Sequence, residues 1–276
     1  MKSPQLPRPA RIASLLASLA FLPTNAFSGT VFLYDGFDYA DGQLTDTDGG
    51  ANVSGGNWTA HSGIGFTDNV DVIGGKAQVL NSGSEDVNRL IGTTMTAGQT
   101  YYFAAQFAVN FTGTAGDAIN NDYFLHFKDG GIGFRTRVYL DNPTGASGYS
   151  LGLSASSGGQ VAKWATDLNF GDTQLIVGSY AFDTGEAKLW VNPTDESSPF
   201  LTDTNGATIA IESIALRQDF ISGPVANNEI LIDAIAVGDD FSSAFASATG
   251  TVVPEPSAAL LLLCGSSLMV FTRRRQ

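Results

Sequence analysis

Cysteine is almost missing from this chain. The one cysteine among 276 residues is Cys264, close to the C-terminus. Residues 29 to 250 therefore hold no disulfide, no thiol nucleophile and no cysteine-based metal site. A fold there rests on its core, which about 220 residues suffice to build. Histidine is nearly as scarce, with only His61 and His126. Neither belongs to a His-Glu-x-x-His helix, so that hydrolytic signature is absent. His126 reads as a satisfied structural imidazole rather than a ligand. Positive charge is also short: 14 Lys and Arg stand against 27 Asp and Glu, a formal net charge of −13. Three of the 14 lie in the first 11 residues and three in the last four, so only Lys76, Arg89, Lys128, Arg135, Arg137, Lys163, Lys188 and Arg217 remain between. Such a surface excludes nucleic acid as a partner, because phosphate contacts need Lys and Arg. It keeps an exported protein soluble and leaves carboxylate oxygens for Ca²⁺.

Long apolar runs are confined to the two ends. Lys2, Arg8 and Arg11 precede the apolar stretch from Ile12 to Leu22, and Pro23-Thr-Asn-Ala26 follows it. A basic start, a short apolar run and small residues at the break are the pattern of a secretory signal peptide over residues 1–28, cut after Ala26 or Ser28. The rival reading is an uncleaved anchor, for which the run is short.

At the other end, Val253-Pro-Glu-Pro-Ser257 leads into the uncharged stretch Ala258 to Thr272, then Arg273, Arg274, Arg275 and Gln276. A helix of about 15 residues is roughly 22 Å long, short of the ~30 Å hydrocarbon core. The prolines stop it from extending backward, and the arginines favour a cytoplasmic C-terminus. A buried core helix would rarely end in three consecutive arginines. This tail, residues 253–276 with a transmembrane helix at 258–272, resembles the PEP-CTERM sorting signal of Gram-negative bacteria. The resemblance implies an exosortase and the secretion machinery as partners and the inner membrane as a way-station. Pro254, Glu255 and Pro256 would be the recognition motif and Arg273, Arg274 and Arg275 the basic cluster. The chain is then expected at the cell surface or outside the cell after processing.

Between the ends, apolar residues alternate and Gly, Asn, Asp, Ser and Thr punctuate them about every dozen residues. This is the pattern of an all-β antiparallel sandwich over residues 29–240, with 241–252 as a linker. Hairpins are expected across Gly74-Gly75, across Lys128-Asp-Gly-Gly131 and across Asp183-Thr-Gly185. Along Ile132 to Leu140, the period of two places Phe134, Thr136, Val138 and Leu140 on one face and Arg135, Arg137 and Tyr139 on the other. Phe241 and Phe245 stand out in the linker as residues able to pack back on the domain.

Asp35-Gly-Phe-Asp-Tyr39, Leu175 to Pro193 and Ile232 to Gly238 together resemble the concanavalin-like, laminin-G-like jelly rolls of exported proteins. The resemblance implies two antiparallel sheets of about six or seven strands, with first and last strands adjacent. Many such domains bind carbohydrate on the concave sheet and some bind Ca²⁺. Laminarinase-like relatives carry Glu-x-Asp-x-x-Glu on one strand, placing two carboxylates on one face. The five glutamates between the ends, Glu85, Glu186, Glu196, Glu212 and Glu229, form no such motif. The expectation is a non-catalytic surface or extracellular-matrix protein. A carbohydrate-binding module taking extracellular polysaccharide is the alternative, and an unrecognised polysaccharide hydrolase the third reading. Trp190, Trp58 and Tyr139 are the candidate sugar-stacking rings. No cofactor is called for, but a structural calcium built from Asp35 or Asp38 with Asp233 would tie the terminal strands together.

Overall fold

The computed structural model describes residues 29–45, 52–63, 69–111, 122–145, 147–156, 158–218 and 228–251. The signal with Ala26 and Ser28, and the tail with Pro254, Glu255, Pro256, Arg273, Arg274 and Arg275, lie outside the described residues.

The strands are β1 (Val31–Asp35), β2 (Gly42–Gln43), β3 (Thr59–Ser62), β4 (Asp71–Ile73), β5 (Lys76–Leu80), β6 (Asp86–Leu90), β7 (Thr100–Asn110) and β8 (Asp122–Lys128). They continue as β9 (Phe134–Asp141), β10 (Ser150–Ser154), β11 (Ala162–Lys163), β12 (Thr173–Ala181), β13 (Ala187–Val191), β14 (Phe200–Asp203), β15 (Ser213–Leu216) and β16 (Glu229–Gly238). One helix follows, α1 (Phe241–Ala248). The strands form two antiparallel sheets. The first runs β14-β13-β12-β7-β16-β5-β4-β2, with β1 also paired to β16, and the second runs β11-β10-β9-β8-β15-β6-β3. The chain is thus an all-β antiparallel sandwich.

Alternation builds the core. On β7, Tyr101, Phe103, Ala105, Phe107 and Val109 point inward. Phe103 meets Phe127 of the second sheet at 5.1 Å between centroids, and Phe107 meets Phe124 at 5.2 Å. Each such ring contributes roughly 1.5–3 kcal/mol by leaving water. Gly178 lies opposite Phe103 in the β12–β7 register, and a Cβ there would stand 2.2 Å from the Phe103 ring. Only glycine leaves room for that ring. The expected hairpins form. Ile73 pairs with Lys76 around Gly74 and Gly75, both at positive φ, and β8–β9 and β12–β13 are neighbours. The terminal strands are adjacent as expected, with Asp35 opposite Ile235.

The stretch after Asp240 differs from the expected linker. The Asp240 carboxylate accepts the backbone N–H of Ser243 at 2.6 Å and caps α1. Phe241, Ala244, Phe245 and Ala248 repeat at helical spacing and cover the outer face of the first sheet. There they pack on Ala104, Val177, Trp190 and Ala236. The helix therefore covers the outer face of the first sheet over β1, β7, β12 and β16.

Candidate functional site

The second sheet carries the polar cluster. Its position follows from two irregularities in the β8–β9 pairing. Tyr123 pairs with Tyr139 and Leu125 with Val138, so the register shifts at Phe124. Phe124 turns into the core, and Tyr123 is left on the outer face beside His126. The second shift lies between Val138 and Arg135, where Thr136 has a φ of +49°. A β-branched residue in the left-handed region is a strained exception, and the strain costs roughly 1–3 kcal/mol. The Thr136 hydroxyl donates to the Ser179 carbonyl at 2.9 Å and holds the conformation.

That single residue corrects the face assignment read from the period of two. Val138 and Leu140 face the core as expected. Phe134 does not join them; it lies with Arg137 on the outer face, where the guanidinium carbon is 5.1 Å from the Phe134 ring centroid. Arg135 leaves the group and donates through Nε to the Ala207 carbonyl at 2.9 Å.

Around Tyr123 the cluster closes on itself. Arg137 lies over the ring at 4.3 Å and Arg217 at 4.7 Å. The rings of His126 and Tyr139 lie 5.1 Å and 5.7 Å away. His126 is 4.5 Å from Phe134 and 6.5 Å from His61. Asn88, Ala215 and His126 form one row across β6, β15 and β8.

The polar atoms of this group are incompletely matched. His126 is 1% exposed, and neither of its ring nitrogens has a hydrogen-bond partner among the described residues. Nδ1 of His61 and Nε of Arg137 are unmatched as well. Burial is the first cause that holds His126 well below the usual imidazole range, and His61, Arg137, Arg217 and Lys128 add to it. His61 is pushed down to about 4 by burial and by Lys128, against a hydrogen bond with Asn88. Both imidazoles are neutral at pH 7, so each offers one N–H donor and one acceptor. The finding differs from the satisfied histidine expected at position 126.

The carboxylates of this sheet face are committed. Asp122 pairs with Arg217 at 2.7 Å and Asp141 with Lys163 at 3.1 Å. Asp86 accepts the Ser62 hydroxyl at 2.7 Å and the Gln218 N–H at 3.1 Å.

Of the candidate stacking rings, only Tyr139 joins the cluster. It is 3% exposed and donates to the Gly158 carbonyl at 2.9 Å. Trp58 is wholly buried, stacked on Phe37 at 5.7 Å, with its indole N–H on Asp35 at 2.7 Å. Trp190 is 2% exposed and packed edge-on to Phe241 of α1 at 5.3 Å, with its N–H on the Glu196 carbonyl. Neither tryptophan presents a ring face to a sugar. The reason is the same for both: a partner element covers the ring, and the alternation of neighbouring residues does not reveal it.

The calcium set is not assembled either. Asp35 is buried and accepts from the Phe37 N–H, the Tyr39 hydroxyl, the Trp58 indole and Arg89. Four donors leave its oxygens no vacancy for a cation. Asp233 pairs with Lys76 at 2.8 Å, and Asp38 is joined to neither. Among the described residues no group of three or more His, Cys, Asp or Glu side chains is placed to hold a metal. The donors present do not fit Ca²⁺ here.

Sequence reasoning passed over His126, Phe134, Arg137 and Arg217 as site residues. The available signal was the crowding of Lys128, Arg135 and Arg137 within ten positions of a chain poor in cations.

No protein-family model matches this chain, and no curated protein sequence does. Among solved structures it is similar to the VIP36 exoplasmic/lumenal domain in its Ca²⁺- and mannose-bound form, at 10% identity and a TM-score of 0.41, covering 67% of this chain and 84% of that one. It is similar to peanut lectin at 12% identity and a TM-score of 0.41, covering 66% and 90%. A sialidase gives 14% identity and a TM-score of 0.44, covering 76% of this chain but 19% of that one. At these identities no ligand or activity transfers from them.

Proposed function

We propose that this chain is a non-catalytic carbohydrate-binding β-sandwich whose binding face is the outer face of the second sheet. The observation that carries the reading is His126. A buried imidazole with two unmatched nitrogens is costly to keep, and it stands among the half-buried rings of Tyr123, Phe134 and His61. Sugar hydroxyls both donate and accept, and sugar C–H faces stack on aromatic rings. A glycan would therefore satisfy this set, whereas an apolar ligand would leave the imidazoles unmatched. The opposite sheet is covered by α1 over β1, β7, β12 and β16, and its tryptophan lies beneath that helix. A binding role rather than a hydrolytic one is favoured because Asp86, Asp122 and Asp141 are each held in a hydrogen bond or ion pair, with no free acid–base pair among them.

The test is a glycan array followed by calorimetry on the full chain. Binding to at least one glycan, weakened tenfold or more in Phe134→Ala and unchanged in Phe200→Ala on the other sheet, is expected. Failure to bind any glycan, or turnover of a bound polysaccharide, overturns the reading.

The proposal extends to location, with the chain acting outside the cytoplasm. The signal pattern and the tail resembling PEP-CTERM support export, exosortase processing at the membrane and delivery to the surface or matrix. Mass spectrometry of the mature protein tests it. A C-terminus ending before Ala258 in an exosortase-bearing host, and an intact tail after Pro254→Ala and Glu255→Ala, are expected.

A further inference from the structure

The eight cations between the ends are not evenly partnered. Lys76, Arg89, Lys163, Lys188 and Arg217 each have a carboxylate within ion-pair distance. Lys128, Arg135 and Arg137 have none among the described residues, and all three lie on β8 and β9. Lys128 donates to the Asp129 carbonyl at 3.0 Å, and Arg135 is held by carbonyls. Arg137 is 7% exposed, has an unmatched Nε and is held chiefly by aromatic rings. In a chain with nearly twice as many acids as bases, a guanidinium almost out of water with no described acid beside it is conspicuous. Desolvated charge is expensive unless paired. Cation–π contacts with Tyr123 and Phe134 offset only part of that cost.

Arg217 also lies against the Tyr123 ring, so two guanidinium groups gather at one aromatic side chain, and Lys128 adds its field to both histidines. The face combines positive potential, a partly exposed Arg217 fork, a nearly buried Arg137 fork and two neutral imidazoles. A guanidinium fork matches two oxygens of one anionic group.

We infer that the outer face of the second sheet selects an anionic glycan, with the anionic substituent of one sugar residue seated between Arg137 and Arg217 over the Tyr123–Phe134 rings. The inference rests on the carbohydrate-binding reading and adds the charge of the substrate. The anion is a uronate carboxylate or a sulfate ester; both supply adjacent oxygens to the forks. The acidic remainder of the surface repels a polyanion and so confines it to this face, where the local sign is reversed.

Calorimetry on the full chain decides it, with three probes of equal length: an oligogalacturonate, a sulfated galactan oligomer and a neutral glucan oligomer. One of the two anionic probes is expected to bind about 10- to 100-fold more tightly than the neutral one, as one or two charge-assisted hydrogen bonds give. That preference is expected to fall as NaCl rises from about 50 to about 500 mM. Arg217→Gln, checked by its melting temperature, is expected to lose most of it, while Lys188→Gln on the opposite sheet, with the same charge change, keeps it. Tighter binding of the oligogalacturonate assigns the carboxylate and tighter binding of the galactan the sulfate. Equal, salt-insensitive affinity for neutral and anionic probes overturns the inference and leaves the carbohydrate reading standing, whereas no binding to any probe overturns both. If Arg217→Gln does not fold, the salt dependence of the unaltered chain separates these outcomes.

Discussion

The guanidinium carbon of Arg137 lies 4.3 Å from the centroid of the Tyr123 ring, and no described carboxylate pairs with it. The ring does two things here. It stabilises a buried cation through its π face, and it does the same for Arg217 at 4.7 Å. Tyr123→Phe keeps the face and is expected to stay within about 0.5 kcal/mol of the parent in urea unfolding. Tyr123→Ala removes two cation–π contacts and the ring's packing and is expected to cost about 2–4 kcal/mol, together with most of the glycan affinity. Equal stability of the two variants would mean that the stacking contributes nothing.

On the opposite sheet, Trp190 and Phe241 make the corresponding pair, but with no polar opening. Phe241→Ala is expected to destabilise by about 3–5 kcal/mol through the cavity left over Trp190, and to leave glycan affinity unchanged. Trp190→Ala should behave the same way. A loss of sugar binding in a folded Trp190→Ala chain would return the binding face to the first sheet.

How much of this the sequence disclosed depends on whether the determinant is local. The Gly74-Gly75 turn, the Asp183 to Gly185 turn and the alternation on β7 are local, and hairpins and sheet faces follow from them. The cap at Asp240 with Phe241, Ala244, Phe245 and Ala248 was equally local, and its helical spacing was legible; small polar residues between them made the stretch look like a linker. The site was legible only in composition. A left-handed Thr136 has no sequence signature, and it shifts the parity that joins Phe134 to Arg137. The burial of Trp58 and Trp190 depends on Phe37 and α1, which reach them from elsewhere in the chain.

Asp35 provides a separate test, because its carboxylate gathers Tyr39, Trp58 and Arg89 from three segments. Asp35→Asn leaves the Arg89 charge without its partner and is expected to cost about 3–5 kcal/mol. The same loss should appear with millimolar CaCl₂ or with excess EDTA, since these oxygens serve protein donors. A calcium-dependent difference between parent and variant would restore an ion at this place.

The two histidines make stability depend on pH with a defined sign. Their folded pKa values are lowered, so the unfolded chain takes up protons more readily. Stability is full above the unfolded value of about 6.5 and is lost as pH falls. The contribution from His61 levels off only below about 4. Charges that face the pair act in the same direction: Lys128, Arg137 and Arg217 disfavour an imidazolium, and the acids that would favour it, Asp86 and Asp122, are engaged by Ser62, Gln218 and Arg217. Urea midpoints measured from about pH 7.5 to about 4.5 should therefore decline, and His126→Phe, which keeps the ring beside Phe134 but cannot take a proton, should flatten the decline. A bound anionic glycan brings the missing negative charge to the imidazoles, so saturating ligand should raise the His61 pKa from about 4 and make the decline shallower, with its onset still set by the unfolded value. Parallel pH profiles for parent and His126→Phe would show that His126 is protonated as easily in the folded chain as in the unfolded one.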